Sequence, residues 1–297
     1  MMKKLCLAVV LVWPMVAREP LAQRIVHTEP AKYRASKAVH DGEGTMQIGS
    51  LLESGSLDTN LYFVHRGVIP PKTGIGHHFH NRCEEMFIIF DGEAQFTIDG
   101  RTSRLQGPAG APCRMGHSHA VYNPGDTPVQ WMNINVAAMK GSYDAFNLGD
   151  SRADVQLDPI PTFMTMRLDR TLLRPISGMN GGTGTAQYRR ALDTSVFLGP
   201  WAYMDHLVLP PSASSGAHLH REVAEADAIV NGRQPNNIPL PTQTGSAEAR
   251  VSKQAKRKKQ TGIAESFHAE LRQQADALIA RMFYSGGMHL RLILLHS

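Results

Sequence analysis

Residues 68–92 read VIPPKTGIGHHFHNRCEEMFIIFDG, and residues 208–232 read VLPPSASSGAHLHREVAEADAIVNG. The two stretches lie 140 residues apart. They agree at Val68/Val208, Pro70/Pro210, Pro71/Pro211, Gly76/Gly216, His78/His218, His80/His220, Glu85/Glu225, Ile89/Ile229 and Gly92/Gly232. A repeat of that span implies two similar domains in one chain. In a strand, residues i and i+2 project from the same face, so His78 and His80 point one way, as do His218 and His220. The apolar run 86–90 stops at Asp91-Gly92, a hairpin signal, and the second copy stops likewise at Asn231-Gly232. Glu85 therefore sits early on the next strand and can reach back to the two imidazoles. Two imidazoles and a carboxylate suit a borderline divalent metal such as Mn, Fe, Ni, Zn or Cu.

Downstream, residues 93–100 alternate as a strand and end in another Asp-Gly turn. A Gly/Pro-rich connection, 107–112, leads to His119, with Asn123 four residues on. With these residues the chain resembles the cupin superfamily. The first motif of that family (HxH, four residues, Glu, six residues, Gly) is met by His78, His80, Glu85 and Gly92, and again by His218, His220, Glu225 and Gly232. The second motif (PxG, two residues, His, three residues, Asn) is met by Gly116, His119 and Asn123, with Arg114 in place of the proline. Lys72 and Ser212 replace the glycine that opens the first motif. The resemblance covers residues 45–140 and 195–232. It implies an all-β chain with two cupin-type antiparallel β-barrels (a double-stranded β-helix or jelly roll) packed on each other. By that carry-over His78, His80, Glu85 and His119 are the ligands of one divalent transition metal (Mn, Fe, Ni or Zn). His77 and His117 are expected to face away from the ligands.

The second copy loses the pattern after Gly232. A polar, proline-rich stretch (233–246) and a basic run (250–260) follow. Apolar residues then recur at helical spacing from Ile263 to Met282, closed by Gly286-Gly287, so an amphipathic α-helix is expected. A short apolar segment ends the chain. No second His/Asn motif is present, which leaves His218, His220 and Glu225 as a partial site in an incomplete barrel. Two readings stay open: genuine divergence, or a change of reading frame near Gly232, which the abrupt break favours. Unpaired edge strands in such a barrel would promote aggregation. The expected organisation is a signal peptide (1–22), a first barrel (23–140), a linker and lead-in (141–195), a partial second barrel (196–232), a disordered basic and proline-rich segment (233–261), and a helix and tail (262–297).

Residues 1–4 are basic at two positions, and 5–17 form an apolar stretch too short to span a bilayer. Export to the periplasm or outside is expected, with no membrane association after cleavage. Cys6 would leave with the leader, and Cys83 and Cys113 are read either as a disulfide or as two separate buried thiols. The formal charge of +5 rests on six cations in 250–260, without which the balance is near −1. No aromatic interleaving accompanies that run, so nucleic-acid binding is not expected. At 297 residues and 42% hydrophobic the chain is long enough to bury two cores.

Function is read from the site. A metal on three imidazoles and one carboxylate keeps positive charge and binds an anionic or enolate-like oxygen. The expectation is a metal-dependent enzyme of oxygenase, decarboxylase or isomerase type acting on a small carboxylate or sugar. A non-catalytic ligand-binding or structural module is the alternative, and self-association stays open. Arg82, Gln95, Arg114 and Tyr122 are candidates to contact a substrate.

Overall fold

The computed structural model describes residues 25–218, 220, 222–231 and 288–295. The expected signal peptide, the basic run and the residues of the expected C-terminal helix lie outside these. Among the described residues the chain is strand, apart from 3-10 turns and loops. No helix among them is long and apolar enough to cross a membrane.

Seventeen strands among the described residues form three sheets. The first barrel uses β1 (Arg34–Lys37), β2 (Thr45–Glu53), β3 (Leu61–Ile69), β4 (Thr73–His80), β5 (Cys83–Ile89), β6 (Glu93–Ile98), β7 (Arg101–Gln106), β8 (Ala109–Cys113), β9 (His117–Asn123) and β10 (Val129–Ala137). The short strands β11 (Phe146–Asn147) and β12 (Met166–Arg167) add to its edges. One sheet runs β1-β2-β3-β10-β5-β8-β12, and the facing one runs β11-β4-β9-β6-β7. All pairings are antiparallel. Between the sheets lies an apolar cluster that includes Met46, Ile69, Ile75, Phe87, Ile89, Phe96, Val121 and Trp131. Alternation places these residues inward and leaves their sequence neighbours on the outer faces.

The third sheet contains β13 (Arg174–Ser177), β14 (Thr185–Leu192), β15 (Trp201–Val208), β16 (Val223–Asn231) and β17 (Met288–Leu295). Its order, β13-β14-β15-β17-β16, repeats the order β1-β2-β3-β10-β5 strand for strand. Strands β1, β2, β3 and β5 begin 140 residues before β13, β14, β15 and β16. The repeat thus starts near Arg34/Arg174, inside the segment read from sequence as linker and lead-in. Its weak identities there (Gly42/Gly182, Gly44/Gly184, Thr45/Thr185, Gln47/Gln187) are two glycines at turns and two polar strand residues. Strand β17 takes the place that β10 holds in the first barrel, between β15 and β16. The apolar tail is therefore a paired strand of the second sheet, and an isolated C-terminal helix is not part of the described fold. The second copy has, among the described residues, no counterpart of the facing sheet.

The two halves pack directly. The outer faces of β3, β5 and β10 contribute Val64, Met86, Ile88, Met132 and Ile134 to a second cluster. Leu192, Val196, Phe197, Trp201 and Met204 close it from the other half. Glu84, on the outer face of β5, accepts backbone N–H bonds from Leu198 (2.8 Å) and Gly199 (2.9 Å) across this junction.

Candidate metal centre

The alternation of β4 changes phase just before the two histidines. Ile75 pairs with Val121 and His78 with His119, so Gly76 and His77 of β4 oppose Ala120 alone on β9. This bulge lets Ile75 enter the apolar core and still turns His78 and His80 inward. His119 and Val121 share the inner face of β9. Glu85, on β5, pairs with Asn135 on β10 and with Cys113 on β8.

All four side chains are buried, and their donor atoms converge. The Nε2 atom of His119 lies 3.0 Å from that of His78 and 3.2 Å from that of His80. The Glu85 oxygens lie 3.5 Å from His80 Nε2 and 3.8 Å from His119 Nε2. Metal–nitrogen bonds of about 2.1 Å meeting at a right angle would separate two nitrogens by about 3.0 Å, so the histidine spacing fits adjacent positions around one ion. The cluster can hold a metal.

Each ligand-type group is held from behind. His78 Nδ1 bonds the Gly76 carbonyl (2.8 Å) and His80 Nδ1 the Asp144 carbonyl (2.6 Å), which directs both Nε2 atoms into the cluster. Asn133 and Asn135 each donate to one oxygen of Glu85, at 2.7 and 2.6 Å. His119 Nδ1 is buried with no hydrogen-bond partner among the described residues, and Phe87 stacks flat on the ring at 4.2 Å instead. Burial, followed by the neighbouring imidazoles, pushes the His78 pKa down to about 2. Burial likewise holds His119 well below the ordinary imidazole range. Both rings are therefore neutral at physiological pH, the form that binds metal.

The substrate candidates do not join this cluster. Gln95 and Tyr122 pair with each other, one residue out of phase with the inward-facing Phe96 and Val121, so both face away from His119. Arg82 is exposed in the β4–β5 turn. Arg114 stands beside Glu84 on the outer side of β5. His77 faces outward, as expected, bonded to Ser118 (2.9 Å). His117 shares the parity of His119, contrary to expectation, and its ring bonds Asp99 at 2.6 Å at the rim.

Other residues occupy the inner face. His65 lies opposite Asn133, stacked on Phe63 at 4.0 Å, and burial lowers its pKa against the pull of Glu85. Tyr143 stacks on Tyr62 at 4.9 Å, with its ring centroid 6.1 Å from that of His80. Burial and then the Glu85 charge push its phenol above the usual range. Two asparagines at i and i+2 within the otherwise apolar run 131–136 are the sequence signal for the Glu85 anchors. Cys83 and Cys113 are free, buried thiols. The Cys83 Sγ lies 3.2 Å from His80 Nδ1, and burial raises its pKa to about 12.

In the second half, His220 Nε2 lies 2.9 Å and His218 Nε2 3.6 Å from Glu225 Oε2. The His218 and His220 rings stand 4.7 Å apart at 75°, against 4.8 Å and 81° for His78 and His80. All three residues are half-buried, and no counterpart of His119 exists among the described residues.

Residues 65–135 match the cupin domain model, over the strands that carry all four buried groups. Residues 65–135 therefore form a cupin domain. The order of five strands of the first barrel recurs in the second half. An oxalate-binding protein of Thermotoga maritima is 26% identical over 95 residues, covering 31% of this chain and 77% of the relative. A predicted oxalate decarboxylase from Thermotoga maritima covers 38% of this chain and 98% of its own, at 20% identity and a TM-score of 0.36. A deletion mutant of the oxalate decarboxylase of Bacillus subtilis covers 70% of this chain and 64% of its own, at 14% identity and a TM-score of 0.47.

Proposed function

We propose that His78, His80, Glu85 and His119 hold one divalent transition metal (Mn, Fe, Ni or Zn). We propose further that the chain is an exported, metal-dependent enzyme of oxidoreductase, lyase or isomerase type on a small carboxylate or sugar. The observation that carries this reading is the convergence of three buried imidazole Nε2 atoms on a carboxylate anchored at both oxygens. When bound, the ion supplies a Lewis-acid centre of net positive charge, suited to an anionic or enolate-like oxygen.

The chain's own residues shape the rest. Asn133 and Asn135 hold Glu85 in one rotamer, while Phe87 holds the His119 plane. The apolar plug beneath the cluster excludes water from that side. Tyr143 stays protonated and His65 stays neutral, so both offer uncharged hydrogen-bonding groups to a ligand on the Glu85 side. The basic and apolar opening, 1–22, is the ground for proposing export.

A second reading, a binding module without turnover, is favoured by the relative named for binding oxalate. One experiment separates the readings. Metal content of the full chain, His78→Ala and His218→Ala is measured by elemental mass spectrometry. The loaded protein is then given oxalate, with binding followed by calorimetry and consumption by assay. One metal equivalent lost only in His78→Ala supports the first-barrel site. Binding without consumption selects the module for that ligand, and a folded chain free of metal sinks the metal reading.

A further inference from the structure

We propose that His40 is a positioning residue of the metal centre, fixing the ring plane of His78; this rests on reading the four buried groups as a metal site. His40 lies in the 3-10 turn Val39–Asp41, in left-handed backbone (φ 51°, ψ 44°). That conformation is unfavourable for a residue with a side chain and persists only where the surroundings impose it. Here its ring stacks on His78 at 3.9 Å and 12°. Its Nδ1 meets Asn147 Oδ1 at 2.8 Å, and Asn147 is itself the β11 partner of His78 in the strand register. The Gly76 carbonyl sets the His78 tautomer through one atom. The stacked His40 ring sets the plane, and Asn147 holds His40.

The second half repeats the device with another side chain. Asn180 stands 140 residues after His40, in the same turn and the same left-handed backbone (φ 52°, ψ 31°). Its Nδ2 lies 3.3 Å from His218 Nδ1. In each half a glycine pair, Gly42 with Gly76 and Gly182 with Gly216, lets the turn lie directly on the chain before the first histidine. The position that touches the first histidine is thus kept while the residue filling it has changed. Behaviour of that kind suits a group that orients a ligand and does not itself coordinate.

The test uses the full chain loaded with Co²⁺ as a spectroscopic probe. Its visible ligand-field bands and its rate of release to a chelator are compared with those of His40→Ala and His40→Phe. His40→Ala is expected to shift the bands and speed release about tenfold, in the range seen for residues behind metal ligands. His40→Phe keeps a ring on His78 and restores both readouts. If His40→Ala does not fold, Asn147→Ala carries the same expectation of faster release, because it frees the His40 ring without deleting it. Unchanged bands and release in the folded variants overturn the proposal, whatever happens to thermal stability. Wild-type chain that takes up no Co²⁺ overturns the metal reading itself, and this inference with it.

Discussion

Asn135 donates to Glu85 Oε2 across 2.6 Å from the residue paired directly opposite it on β10. The bond aims a buried carboxylate at three imidazoles. A carboxylate left with an unpaired buried oxygen must rotate or take a proton, and either change spoils it as a metal ligand. Asn135→Ala should therefore weaken metal binding about 10–100-fold with the barrel still folded. Asn135→Asp should do worse, because two buried carboxylates then face each other. Competition with a fluorescent chelator measures both, and unchanged affinity in Asn135→Ala would remove the anchoring role.

The metal-free protein should lose stability in acid from about pH 6.5 downward. Unfolded imidazoles titrate near 6.5, whereas burial holds His78 down to about 2 and His119 well below its ordinary range. Below pH 6.5 the unfolded chain takes up protons that the folded site refuses, so the balance shifts toward unfolding. At pH 5 the His78 ring contributes about 2 kcal/mol of this loss, from about 1.4 kcal/mol per pH unit, and His119 acts in the same direction. Melting of chelator-treated protein at pH 7.5, 6 and 5 checks it; a midpoint that is level or rising in acid contradicts it.

Glu84 joins the two halves through the N–H groups of Leu198 and Gly199. Removing its carboxylate strands two partly buried donors. Glu84→Ala should cost about 2–3 kcal/mol in urea unfolding, and Glu84→Gln, which keeps one acceptor oxygen, less. Metal content should not change, since Glu84 points away from the cluster. Loss of metal in Glu84→Gln would show that the two faces of β5 are coupled.

Gly76→Ala should be far more damaging than its size suggests. The added methyl would collide with the His40 carbonyl and the Gly42 amide, both backbone atoms that cannot swing aside. The turn must lift, and His40 then leaves His78. Metal release should speed together with a drop in melting temperature, whereas His40→Ala should speed release with a smaller drop. Equal metal retention in Gly76→Ala and wild type would show that the turn does not govern the site.

Much of the site is legible in the sequence. The HxH spacing, the carboxylate five residues on and the hairpin glycine identify His78, His80 and Glu85 locally, because strand periodicity and turn chemistry act over a few residues. His119 is legible too, through its spacing to Gly116 and Asn123. The placement of Gln95 and Tyr122 was not legible for a local reason: a polar residue near a motif says nothing of strand phase. One residue out of phase is enough to turn both away from His119. The phase change in β4 is equally hidden, since a bulge is visible only against the partner strand.

The sequence by itself determined the all-β architecture, the duplication at a 140-residue offset and the ligand-type residues of the first barrel. Those rest on periodicity and on repeated short motifs. Tertiary structure alone decided which strand fills the gap between β15 and β16, which asparagines anchor Glu85, and which histidine stacks on His78. Each of these joins residues distant in the chain, such as His40 with His78, Glu85 with Asn135, and Val223 of β16 with Leu295 of β17. Partners that far apart are selected by packing, register and burial across the folded sheet, and local propensity carries no record of them.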